Sequence, residues 1–229
     1  MKKKNKDYLS VIYNEDDKPF TKYPADLTKY LTEYYSIDPN SKLLDIGCGR
    51  GEFLDGFSKC GLNCFGVDQF NHAENYFPKT KLKISDLENE KLPYDDNYFD
   101  VVFSKSVIEH FYYPEKLIKE ILRVLKPNGK VLTLTPDWEY NYVNFYEDYT
   151  HRTPFTITSL KDIFLIHNFK DVEVSRFKQL PILWHKNKIL SLLSEFTRIL
   201  SPNFLKNKSK WVRFSKEIML ISIAYKPEK

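Results

Sequence analysis

The segment Leu43-Leu44-Asp45-Ile46-Gly47-Cys48-Gly49-Arg50-Gly51 sets an acidic residue just ahead of three alternating glycines. Glycine lets a chain turn tightly and approach a ligand closely. A helix opening at such a turn offers unpaired N–H groups to an anion, and a carboxylate qualifies as well as a phosphate. About 20 residues further on, Gly66-Val67-Asp68 ends in a second acidic residue. At the end of a neighbouring strand, that carboxylate suits two ribose hydroxyls. Together these residues specify an adenosine-type cofactor.

The glycine pattern also bears on which cofactor. A dinucleotide turn is Gly-x-Gly-x-x-Gly, but here Gly51 comes early and Glu52 follows it. Asp45 and Glu52 would repel a pyrophosphate. Asp45 suits a cofactor that carries an ammonium, as S-adenosylmethionine does. That compound also has a carboxylate, a ribose and a sulfonium, and no phosphate. A nicotinamide-dependent oxidoreductase is the competing class, and Glu52 argues against it.

The elements that must position these residues follow from periodicity. Apolar runs predict strands at Lys42–Ile46, Leu62–Val67, Lys81–Ile84, Phe99–Ser104 and Lys130–Thr135. Helical spacing predicts helices at Thr21–Ser36, Gly51–Lys59 and Pro114–Leu125, the last stopped by Pro127-Asn128-Gly129. Strand alternating with helix predicts βαβ units and a doubly wound, mostly parallel α/β sheet. A helix over Ser159–His167 and strands over Asp171–Phe177 and Glu217–Tyr225 follow. The last two strands bring the sheet to seven and suit an antiparallel pair at its edge. The expected organisation is a flexible arm over residues 1–20 and one domain over 21–229. A basic insertion at 181–210 separates the last two strands.

With motifs and elements in place, LLDIGCGRGEF resembles the first motif of the class I S-adenosylmethionine-dependent methyltransferases. GVDQF is similar to their second-strand acidic motif. The block ISDLENEKLPYDDNYFDVVFSKSVIEHFYYPEKLIKEILRVLKPNGKVLTLTP resembles the subgroup acting on quinones and small molecules. The likeness spans roughly residues 40 to 136 and implies a Rossmann-like methyltransferase fold. It implies that Asp45, Gly47, Cys48 and Gly49 lie around the methionine part, with Ser104 beneath it. It places Asp68 on the ribose, Gln69 beside the adenine, and Asp86 and Leu87 against the adenine. EDYTHRTPFTITSLKDIF, RFKQLP and SKWVRFSKEIMLISIAYK resemble a bacterial branch associated with surface-glycan gene clusters. That implies a saccharide or glycan-precursor acceptor and a place in polysaccharide biosynthesis. The alternative acceptors are a small-molecule nitrogen and a quinone or phenol.

A hydroxyl acceptor needs a proton acceptor, and His151 is the candidate. Imidazole with a pKa of about 6.5 is mostly neutral at pH 7, and His151 follows the fifth strand, where the site should open. Glu109-His110 reads as a loop-stabilising pair and Cys48 as a packed thiol. Asp137, Asp148 and His151 have no metal-ligand spacing, so no metal is expected. The cluster from Trp138 to Tyr149 reads either as an aromatic wall over a sugar or as a lid packed on the sheet edge.

Composition bounds the rest. The chain has 229 residues, 42% hydrophobic and 29% charged, which suits one large globular domain rather than a disordered one. A net charge of +4 does not by itself imply nucleic acid, because charge must cluster to matter. Three cysteines without a CxxC pair suggest free thiols in a cytoplasmic protein. The basic N-terminus lacks the apolar stretch of a signal peptide, and no run suits a membrane span. The basic, Leu-rich stretch from Trp184 to Lys216 suits either a solvated face or peripheral contact with an anionic membrane.

Overall fold

The computed structural model describes residues 18–78, 80–184, 188–206 and 208–228. Most of the predicted arm, with Tyr13, lies outside the described residues, as does Lys186. The first helix among the described residues is α1 (Tyr23–Tyr34), whose Pro24 sits in the first turn and whose Leu27 and Leu31 are buried. It continues through β1 (Lys42–Ile46), α2 (Glu52–Lys59), β2 (Asn63–Asp68), α3 (His72–Tyr76), β3 (Lys81–Ile84) and β4 (Phe99–Lys105). Next come α4 (Pro114–Val124), β5 (Leu125–Pro136), α5 (Trp138–Asn141), α6 (Ile157–Ile166) and β6 (Lys170–Lys178). Helices α7 (Pro181–Trp184), α8 (Lys188–Leu200) and α9 (Lys210–Lys216) lead to β7 (Ile218–Tyr225).

The seven strands form one sheet in the order β3-β2-β1-β4-β5-β7-β6. All are parallel except β7, which runs against both β5 and β6. Strand order reverses between β1 and β4, so the ligand crevice belongs outside their carboxyl ends. Side chains alternate across β1, so each face of the sheet carries its own core. Leu44, Val102, Ile118 and Phe164 fill one side. Leu27, Leu43, Phe57 and Phe103 fill the other.

Several boundaries depart from the expected ones, and two of them have a clear local cause. Helix α4 ends at Val124, and β5 already begins at Leu125, paired with Phe99. The Pro127-Asn128-Gly129 turn therefore falls inside a register irregularity of β5, with Asn128 at a φ of 61°. Helix α6 starts earlier than Ser159 because Thr156 caps it. The Thr156 hydroxyl accepts from Ser159 N–H at 3.2 Å, and Ser159 Oγ accepts from Thr156 N–H at 2.9 Å.

Candidate functional site

A cleft of about 430 Å³ opens at the carboxyl ends of β1, β2 and β4. Its floor is the turn between β1 and α2. Gly47 there has a φ of 68°, and a methyl group on it would come within 2.4 Å of Val107 Cγ2. Gly51, the N-cap of α2, has a φ of 84°. Both positions lie in the left-handed region that favours glycine. The Gly49 N–H points at Asp68 Oδ2 across 2.8 Å, and the Phe70 N–H donates to Asp68 Oδ1 at 3.0 Å. The turn and the second-strand carboxylate are thus locked together before any ligand arrives.

Of the residues singled out in the sequence, Asp45, Gly47, Cys48, Gly49, Asp68, Gln69 and Leu87 line the cleft. Asp45 is 2% exposed, and its Oδ2 has no hydrogen-bond partner. Burial, reinforced by the neighbouring Asp68, holds its carboxyl well above the usual range. Burial raises Asp68 as well, against the pull of the Gly49 and Phe70 amides. Cys48 packs with Leu54 and Ala73, and its burial pushes the thiol up, which leaves it inert rather than redox-active.

Asp86, Ser104 and His151 do not line the cleft. The Asp86 carboxylate is turned into its own bend, accepting from Glu88 N–H and from Asn89 Nδ2 at 2.8 Å. Ser104 lies within β4, buried and level with Ile46 of β1, because the strand runs on to Lys105. Lys105, Ser106 and Val107 reach the cleft in its place, and Ser106 leaves the strand with a φ of 57°. His151 sits behind His110, their ring centroids 4.8 Å apart, and its Nδ1 is 2.5 Å from the Phe145 carbonyl oxygen.

His110, set aside in the sequence as part of a loop pair, faces the cleft. Burial, then the nearby His151, lowers its pKa to about 4. Burial lowers Lys105 to about 8 and raises Glu109 to about 7. The loop carrying Thr150 and Arg152 closes this end of the cleft. It is pinned by Arg152 N–H and Thr153 N–H, which donate to the Glu109 carbonyl oxygen at 2.8 and 3.0 Å. Trp138, Tyr142, Phe145 and Tyr146 pack on one another, Tyr140 lies under Arg176 and Arg198, and none of these lines the cleft. Trp138 meets the Phe145 ring edge-on at 5.4 Å. The local sequence signal for His110 is the Glu-His dipeptide after the fourth strand.

Residues 13–174 match the family described as "Methyltransferase domain". The chain belongs to this family, and its seven-stranded sheet with one antiparallel strand is the Rossmann-like methyltransferase fold. A solved structure from Archaeoglobus fulgidus, titled a SAM dependent methyltransferase, superposes with a TM-score of 0.69 at 22% identity. That comparison covers 96% of this chain and 100% of the other. Among curated relatives, a glycine/sarcosine/dimethylglycine N-methyltransferase of Actinopolyspora halophila is 31% identical over 109 residues. The match covers 44% of this chain and 19% of that protein. A ubiquinone biosynthesis O-methyltransferase of Pelagibacter ubique is 33% identical over 101 residues, covering 42% of each. The chain thus spans a fifth to about half the length of these curated relatives.

Proposed function

We propose that this protein transfers a methyl group from S-adenosylmethionine to an oxygen of a saccharide or other small polar acceptor, releasing S-adenosylhomocysteine. The observation that carries the reading is the buried, unpartnered Oδ2 of Asp45 beside Asp68 on the cleft floor. A pyrophosphate would place more negative charge beside the Asp45 and Asp68 carboxyls, whereas an ammonium satisfies the orphaned oxygen. The site residues therefore fit the cofactor.

S-adenosylmethionine supplies an electrophilic methyl on sulfur; the C–O bond forms as the C–S bond breaks, and the bonding pair stays on sulfur. Asp45 and the Gly47–Gly49 backbone hold the amino-acid end. Asp68 accepts from the ribose hydroxyls, while Gln69 and Leu87 border the adenine, with Glu88 in the place expected for Asp86. Alignment of nucleophile, methyl and sulfur by such contacts contributes roughly 7–11 kcal/mol. The acceptor enters beside His110, Tyr112 and Arg152, so its proton leaves at the histidine end of the cleft.

Calorimetry with S-adenosylmethionine, S-adenosylhomocysteine and reduced nicotinamide dinucleotide tests the cofactor. Heat with the dinucleotide alone would reverse the assignment. Labelled S-adenosylmethionine offered with nucleotide-linked sugars, phenols and amines then identifies the acceptor. The curated relatives' names span amino acids and ubiquinone precursors, so transfer to nitrogen or to a phenol is the second reading.

Peripheral contact with an anionic membrane is part of the same proposal. Helix α8 turns its polar side inward, where Ser194 is buried and its hydroxyl pairs with Ser215 Oγ at 3.0 Å. Its outer side carries Ile189, Leu192, Leu193, Phe196, Ile199 and Leu200, each at least half exposed. Lys188, Lys208 and Lys210 stand exposed on the same insertion. An apolar stripe with basic flanks suits the boundary of an anionic bilayer. No helix among the described residues is long and apolar enough to cross a membrane.

A further inference from the structure

Glu109, His110 and His151 come together at the acceptor end of the cleft from two segments far apart in sequence. Glu109 and His110 lie in the helical turn after β4, and His151 lies in the loop before α6. One ligand atom from each of the three lies within 4.8 Å of the others. Glu109 is wholly buried. Its Oε2 accepts from Thr135 Oγ1 at 2.9 Å, but Oε1 has no hydrogen-bond partner. A buried carboxylate oxygen in that state costs free energy until a donor or a cation meets it.

The His151 imidazole is already set in the tautomer that binds metal through Nε2, and His110 is held at Nδ1 by Thr150. The Phe145 carbonyl oxygen beside His151 Nδ1 can only accept, so that nitrogen carries the proton. In the His151 ring the lone pair is thereby left on Nε2. His110 Nδ1 lies 2.8 Å from Thr150 Oγ1, whose own proton goes to Asp148 Oδ1 at 2.6 Å. Histidine ligands are oriented in this way, by a carbonyl or a hydrogen-bonded chain to a carboxylate on the other nitrogen.

We propose that Glu109, His110 and His151 form a site for one divalent first-row transition ion at the acceptor end of the cleft. Two imidazoles and one carboxylate suit Zn²⁺, Co²⁺ or Mn²⁺ and are a poor set for Ca²⁺ or Mg²⁺. Three protein ligands leave a coordination position open, and His110, which lines the cleft, puts the ion next to the end where it would orient an acceptor hydroxyl and favour loss of its proton to water. The inference rests on and deepens the methyltransferase reading and departs from the sequence expectation of no metal. That expectation weighed Asp137, Asp148 and His151 by spacing and could not see that His151 meets Glu109-His110.

The test uses the full chain after chelator treatment and dialysis. Titration with Co²⁺, followed by its visible absorption, and with Zn²⁺, followed by calorimetry, is expected to saturate at one ion per chain. His151→Ala and Glu109→Gln are expected to abolish saturable binding. Thr150→Val, which removes the partner of His110, is expected to weaken it by about 10–100-fold. S-adenosylmethionine affinity is measured on every variant as the check that the cleft is folded. Absence of saturable binding by the native chain, or binding undiminished in a His110→Ala/His151→Ala variant that still takes the cofactor, overturns the site. Ion binding by a chain that takes no S-adenosylmethionine overturns the methyltransferase reading and leaves the site standing.

Discussion

Asp45 shows how a single residue trades folding against ligand binding. Its carboxyl is buried beside Asp68 with one oxygen unpartnered, so the native state favours the protonated form. The native chain then holds a proton that the unfolded chain has released, and this group's contribution to stability falls as pH rises from the unfolded pKa toward the raised native one. Asp45→Asn removes that penalty. The variant is expected to unfold at a higher temperature at pH 7 yet to bind S-adenosylmethionine more weakly. An ammonium favours the ionised carboxylate, so cofactor binding at mildly acidic pH is expected to release a proton. Calorimetry in two buffers of different ionisation enthalpy measures it, and buffer-independent heat would refute the pairing. At the other end of the cleft, His110→Ala and His151→Ala are expected to lower turnover on the identified acceptor while leaving cofactor affinity nearly unchanged. A parallel loss of affinity in both would assign these histidines to cofactor binding or packing instead.

At the scale of elements, the sheet end positions are what matter. Ser104 was expected at the end of the fourth strand, but β4 runs to Lys105, and Ser106 makes the turn. That difference moves Ser104 into the sheet and brings Lys105 and Val107 to the cleft, because a short shift along a strand changes which residues clear its end. Helix boundaries obey local chemistry. Thr156→Ala breaks the capping box of α6 and is expected to cost about 1 kcal/mol, or about 2–4 °C in unfolding midpoint for a chain of this size. Helix α4 was legible from apolar spacing, and Ile118 is fully buried on its inner face. Ile118→Ala is expected to cost about 2–5 kcal/mol in denaturant unfolding, the range for deleting buried methylenes.

For the whole molecule, the insertion between β6 and β7 raises a question of solvent. The sequence shows seven basic residues between Trp184 and Lys216, but three are spent on acids in the structure. Arg198 pairs with Glu195 at 2.8 Å, and Arg213 and Lys206 pair with Glu217 at 2.8 and 3.0 Å. What remains outside is mostly the apolar stripe of α8, a face that hydrophobic burial would favour covering. The chain is expected to pellet with vesicles containing phosphatidylserine at low salt, and less at high salt. Leu193→Glu, which leaves the Ser194–Ser215 contact in place, is expected to release it. Equal recovery of native and variant chains in the supernatant would remove the membrane from the account.

The cofactor half of the cleft could be read along the chain because its parts are local. A strand, a glycine turn and a helix are contiguous, and Asp68 is one βαβ unit away, so spacing alone carries the geometry. The α/β class and the antiparallel pair of last strands were legible for the same reason: period and order are properties of the linear sequence. The acceptor half was not. His151 and Glu109 come from the loop before α6 and the turn after β4, which are joined by long-range backbone bonds and by the contacts of His110 with Thr150 and His151. The facing of α8 depends on where Ser215 and β6 lie. Such contacts are long-range, and only the folded chain decides which side chains share a wall and which oxygen is left buried without a partner.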